Sequence, residues 1–131
     1  MGMEILLPMK SEFYLMIELE KKPHEYRAVT PYWITRLVKR PFVDFLKESF
    51  SITWRKNDYN ENLVRGLKEL VKLNGADAVF KDVDSIVFSY GYTRRHMKWK
   101  CDALSIGYGN PAWGAEEGRE YFVFKLGRRL K

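Results

Sequence analysis

From Asp84 onward the apolar residues of this chain change period. In DSIVFSYGY, HMKWKCDALSIGYG and REYFVFKLG they recur at alternate positions, the spacing of half-buried strands. Met97, Trp99 and Cys101 alternate with Lys98, Lys100 and Asp102 until Leu104 and Ile106 invert the parity, which predicts a bulge or sharp bend near Ala103. Bends of that kind turn the corners of small barrels. Further short strands are expected at Met3 to Pro8, closed by proline, and at His24 to Val29. Strands at both ends of the chain, none of them long, with helices between, predict an α+β fold: a small mixed or antiparallel β-barrel with flanking helices.

Between the strands the period is helical. Ser11 is the expected cap of a first helix whose Phe13, Met16 and Ile17 face the core, and Pro23 stops it. Thr30 is the expected cap of TPYWITRLVK, with Pro31 at the first helical position and Pro41 breaking the run. In NENLVRGLKELVKLNG, Leu63, Leu67, Leu70 and Val71 form one stripe, with Asn74-Gly75 as the stop and Phe42, Phe45 and Leu46 expected to pack on it. Residues 42–80 read as a helical insertion inside one domain spanning 1–131, because about 40 residues make a poor independent core.

Composition narrows the function classes. At 46% hydrophobic and 31% charged the chain is an ordinary globular protein and not a disordered tail. No apolar run approaches the roughly 20 residues that cross a bilayer, and the N-terminus lacks the pattern of a signal peptide, so no membrane contact and a cytoplasmic location are expected. The single cysteine, Cys101, excludes an internal disulfide and a cysteine-based zinc site. His24 and His96 have no metal-forming spacing with each other or with Cys101, so neither metal nor cofactor is expected. A net charge of +6 and a pI near 9.4 favour phosphate-bearing or otherwise anionic partners.

Several constellations carry chemistry. EKKPHEYR, Glu20 to Arg27, places Glu25 and Arg27 on one face of an extended segment and His24, Tyr26 and Ala28 on the other. Glu25 with Lys22 and Arg27 is either a structural ion pair at a helix-to-strand corner or a held guanidinium whose remaining donors read phosphate or a base edge. Tyr32 and Arg36 share a helix face and are candidates for contact with the same ligand, while Trp33 is expected in the core. Tyr90, Gly91 and Tyr92 end a strand, offering backbone room and a tyrosine face for base stacking, or only a bend. Arg94, Arg95, Lys98 and Lys100 are either a solvated hairpin or a stripe that tracks a nucleic-acid backbone. In GYGNPAWG, Asn110-Pro111 is a turn and Trp113 is expected to plug one end of the barrel.

Taken in order, LxLEKKPHEYR, PYWITRL, SYGY and IGYGNPAWGAxxGxxYFVFKLG resemble an ASCH domain (activating signal cointegrator homology), a branch of the PUA-like barrel superfamily. The family signature GxKxxExR is met by Lys22, Glu25 and Arg27, with Glu20 where the glycine stands. The resemblance covers about residues 3–40 and 80–130 and leaves 42–80 outside. It implies a cleft between the first helices and the sheet, lined by those residues, and an RNA-binding or nucleotide-binding module. The alternative it implies is a small hydrolase, either an amidohydrolase on a modified nucleoside or a ribonuclease. In that case Lys22 and Glu25 would form the catalytic base pair, with His24 as general acid. No Ser or Thr occurs between Lys22 and Thr30 to supply the hydroxyl thought necessary for acyl removal. A protein partner for residues 42–80 is the third expectation.

Overall fold

The computed structural model describes residues 2–131. Five strands form one mixed sheet: β1 (Met3–Met9), β2 (His24–Ala28), β3 (Val83–Tyr90), β4 (His96–Tyr108) and β5 (Glu120–Arg129). Their spatial order is β1-β3-β4-β5-β2, with β1 parallel to β3 and the other pairings antiparallel. The α+β class and the mixed sheet are as expected, but the sheet curls into a half-barrel instead of closing. The two strands that would complete a ring, β1 and β2, are its opposite edges. Pro8 suits that position, because an edge residue can lack an N–H.

The parity inversion in β4 has a direct cause. Its register against β5 shifts between Trp99 and Cys101 and again between Cys101 and Ala103. Met97, Trp99 and Cys101 are therefore buried before the second shift, and Leu104 and Ile106 turn inward after it.

Five helices are α1 (Ser11–Glu18), α2 (Pro31–Leu37), α3 (Arg40–Ser49), α4 (Glu61–Asn74) and α5 (Ala76–Val79). Val43, Leu46, Leu63, Val64, Leu67 and Val79 join Ile86, Phe88, Phe122 and Phe124 in one core, so the helical segment 42–80 shares the core of the sheet. Thr30 caps α2 by accepting from the Trp33 N–H, with Pro31 in its first turn, as the sequence predicts. Three expectations shift. Ser11 is already helical and Lys10 holds the cap position without a side-chain bond. On α1 the fully buried residues are Tyr14 and Ile17, with Phe13 and Met16 half-buried. On α3 Val43 and Leu46 face inward, and Phe45 stays 56% exposed about a third of a turn away.

The end of α1 explains what Glu20 does in place of a glycine. The Lys21 N–H donates to the Met16 carbonyl (2.8 Å) and the Glu20 N–H to that of Ile17 (2.9 Å), the paired bonds of a Schellman stop. That stop forces Glu20 to φ 60°, the left-handed region where a Cβ is penalised. Glu20→Gly should therefore stabilise the fold by about 1 kcal/mol. Thermal or urea unfolding checks this, and an unchanged or lower stability would show that the Glu20 side chain makes a compensating contact.

Candidate binding cleft at the sheet seam

Residues directly opposite in an antiparallel pair point to the same side of the sheet. Glu25 lies opposite Phe124 and Arg27 opposite Phe122, so both β2 side chains project to the core face while His24 and Tyr26 take the other. Glu25 is 5% exposed and Lys22, in the loop entering β2, only 2%. The Lys22 ammonium donates to Glu25 Oε1 (3.0 Å) and to the His24 carbonyl (2.9 Å). Its Nζ also lies 5.5 Å from the Phe13 ring centre and 4.9 Å from that of Tyr26. The other carboxylate oxygen, Oε2, accepts from Arg27 Nη2 (3.2 Å), and the Tyr26 N–H donates to Oε1 (2.8 Å). One buried carboxylate thus sits between two cations.

Arg27 spans the seam. Besides Glu25, its Nη2 reaches the Pro8 carbonyl and the Met9 sulfur of β1, each at 3.3 Å, and its guanidinium lies 5.5 Å from the Trp33 ring centre. Its Nε is buried without a partner. Two edges that no backbone ladder joins are therefore bridged by a side chain.

Against this bridge lies a cleft of about 340 Å³, lined by Pro8, Met9, Lys10 and Phe13 on one side and by Glu25, Tyr26, Arg27 and Tyr121 on the other, with Trp113 and Gly114 closing it. The loop carrying Trp113 is fixed from several directions. The Asn110 N–H donates to the Tyr26 hydroxyl (3.0 Å), the Asn110 side chain accepts from the Ala112 N–H (2.9 Å), and the Glu116 N–H donates to the Tyr121 hydroxyl (2.8 Å). Gly114, at φ 98°, lies so close to Phe13 that an added Cβ would meet the ring at 2.8 Å. Asn110 is therefore a bracket for the loop, and Trp113 is a wall of the cleft.

Burial sets the protonation states. Removal from water pulls Lys22 below the usual lysine range, opposed by the attraction of Glu25. Burial likewise lowers His24, assisted by Lys125 and Lys22, so its imidazole is neutral near pH 7. Tyr26 is raised by burial and keeps its hydroxyl proton. Lys22 is enclosed behind Glu25 and is not part of the cleft surface, whereas Glu25 and Arg27 are.

No family model, curated protein or solved structure matches this chain.

The other sequence candidates lie elsewhere. Tyr32 and Arg36 are not brought to the cleft; the Arg36 guanidinium stacks 3.7 Å from the Tyr32 ring centre, with Lys56 Nζ at 5.1 Å. Tyr90 meets Tyr14 edge-on (5.3 Å between centroids), and Arg95 lies 5.0 Å from its ring centre while pairing with Glu18 at 2.9 Å. Gly91 (φ 59°) turns the chain, its N–H donating to the Met9 carbonyl, and Tyr92 is 96% exposed. Of the basic stripe, Lys98 pairs with Glu4 (2.8 Å), while Arg94 and Lys100 are exposed. Of the cleft lining, only Glu25 and Arg27 are among the ligand candidates read from the sequence; Pro8, Met9, Lys10, Phe13, Tyr26, Trp113, Gly114 and Tyr121 are missed. Gly114 was the available signal, since a glycine suits a left-handed turn and a close approach of the backbone. Among the described residues no helix is long and apolar enough to cross a membrane, and no group of His, Cys, Asp or Glu side chains is placed to hold a metal ion.

Proposed function

We propose that the seam cleft binds a nucleobase with its adjoining phosphate, in RNA foremost or in a free nucleotide, and that the half-barrel belongs to the ASCH branch of PUA-like folds with residues 42–80 as an insertion. The observation that carries this reading is the Glu25–Arg27 pair at the cleft wall. A guanidinium oriented by a buried carboxylate, with Lys10 at the rim, gives an anion a preformed donor set. Phe13, Tyr26, Trp113 and Tyr121 supply ring surface on which a base stacks, a contact worth about 1–3 kcal/mol. In this reading Lys22 is the inner ion-pair partner of Glu25. Its enclosure favours binding over hydrolysis, because a catalytic amine must reach the substrate.

The test uses short RNAs, their DNA counterparts and mononucleotides, titrated against the wild type and Arg27→Lys by calorimetry. Lysine keeps the charge beside Glu25 but loses the planar fork, so affinity should fall about 10- to 100-fold with little change in unfolding temperature. Unchanged affinity in Arg27→Lys, or no binding of any of these ligands by the wild type, would sink the reading.

A further inference from the structure

A second cavity, of about 410 Å³, opens between α2, α3 and the chain that follows α3. Its floor is apolar: Val38 and Val43 belong to the core, and the half-buried Trp54 packs against it. Its rim is cationic. Arg40 and Lys47 come from α3 and Lys81 from the segment before β3, with Asp44 as the one carboxylate in the lining, which leaves an excess of two positive charges.

These cations are not consumed by the fold. The Arg40–Asp44 contact is long, 3.8 Å from Nε to Oδ2, and both side chains are largely in water, so it holds the guanidinium weakly. Lys47 takes part in none of the ion pairs among the described residues. Lys81 is aimed instead of free: its Nζ donates to the Thr35 carbonyl (3.2 Å) at the mouth, leaving two ammonium hydrogens for another acceptor. The size lies within the range of small-molecule sites, and an apolar floor with few polar groups at one rim is their usual build.

We propose that this cavity is a binding site for a small amphipathic anion, an apolar ring or chain that lies against Trp54 and Val43 and carries a carboxylate, sulfonate or phosphate held by Lys47, Lys81 and Arg40. The site is independent of the seam cleft and of any ligand there. The apolar body contributes by leaving water, and the charged head fixes which end points outward.

The probe is anilinonaphthalene sulfonate, an aromatic sulfonate whose emission reports burial, compared with the uncharged phenylnaphthylamine and with inorganic sulfate. The sulfonate should bind one-to-one, and each of the other two at least about tenfold more weakly, since each carries half of the recognition. A Lys47→Glu, Lys81→Glu variant should weaken the sulfonate by at least about tenfold, and Thr35→Trp, which fills the cavity and leaves the rim charges, should abolish binding. Circular dichroism of both variants confirms the fold. Amide and indole NMR shifts should centre on Trp54 and residues 35–47. Shifts centred on Trp113 and Tyr26, equal affinity for the uncharged analogue, or wild-type affinity in either variant would each overturn the proposal.

Discussion

Replacing Glu25 with alanine should cost the fold about 3–5 kcal/mol, a large part of the roughly 5–15 kcal/mol that holds a domain of this size together. The loss comes from what is left behind. Lys22 would keep an enclosed ammonium with only the His24 carbonyl as acceptor, and Arg27 would keep the Pro8 carbonyl and a sulfur. The Tyr26 N–H would lose its acceptor as well. Urea unfolding measures the cost, and a loss under about 1 kcal/mol would mean that water already reaches the pair. The triple variant Lys22→Met, Glu25→Leu, Arg27→Met should recover most of the stability, since apolar groups of similar volume remove all three charges together. The alanine variant should also respond to alkali. Lys22 titrates below its free value of 10.5, so the folded state sheds its proton first and stability rises as pH climbs through the folded pKa toward 10.5. Without Glu25 to oppose that shift, the window widens and the variant gains more than the wild type over the same range.

The second large effect is expected at Gly114. Alanine there must hold φ 98°, at about 1–2 kcal/mol, and must also displace the Phe13 ring, bringing the total to about 2–3 kcal/mol. Gly118 provides the control: its φ is 79°, but nothing lies within 4 Å of an added Cβ, so Gly118→Ala should carry the conformational cost alone. The difference between the two variants isolates the ring contact. Where the strain is relieved by the loop lifting away, Trp113 loses its seat and its emission moves to the red, a signal absent from Gly118→Ala. Equal stabilities and equal emission in the two variants would show that Phe13 yields without cost.

What the sequence discloses and what it withholds follows from the range of the forces involved. The strands after Asp84, the parity change before Leu104, the Thr30–Pro31 start of α2 and the Gly75 stop of α4 are local signals, and each is found in place. The grouping of Glu25 with Arg27 is equally local, since strand alternation alone puts them on one side. The unclosed sheet is a different matter. It depends on β1 pairing with β3, about 80 residues distant, and no short segment encodes that choice. Helix phase accounts for Tyr32 and Arg36. Ile34 and Leu37 turn inward, and at 100° per residue the other two fall roughly half a turn away, toward Lys56. The depth of Lys22 has no sequence signal either, because lysines at helix ends are ordinarily solvated.

The outermost strands of most sheets offer unpaired N–H and C=O groups to any extended chain that drifts past, and proteins blunt that hazard with charge, proline or cover. Here the Arg27 side chain of one margin donates to the Pro8 carbonyl of the other. Loss of that contact returns the Pro8 carbonyl, on a strand with no neighbour on that side, to whatever donor arrives.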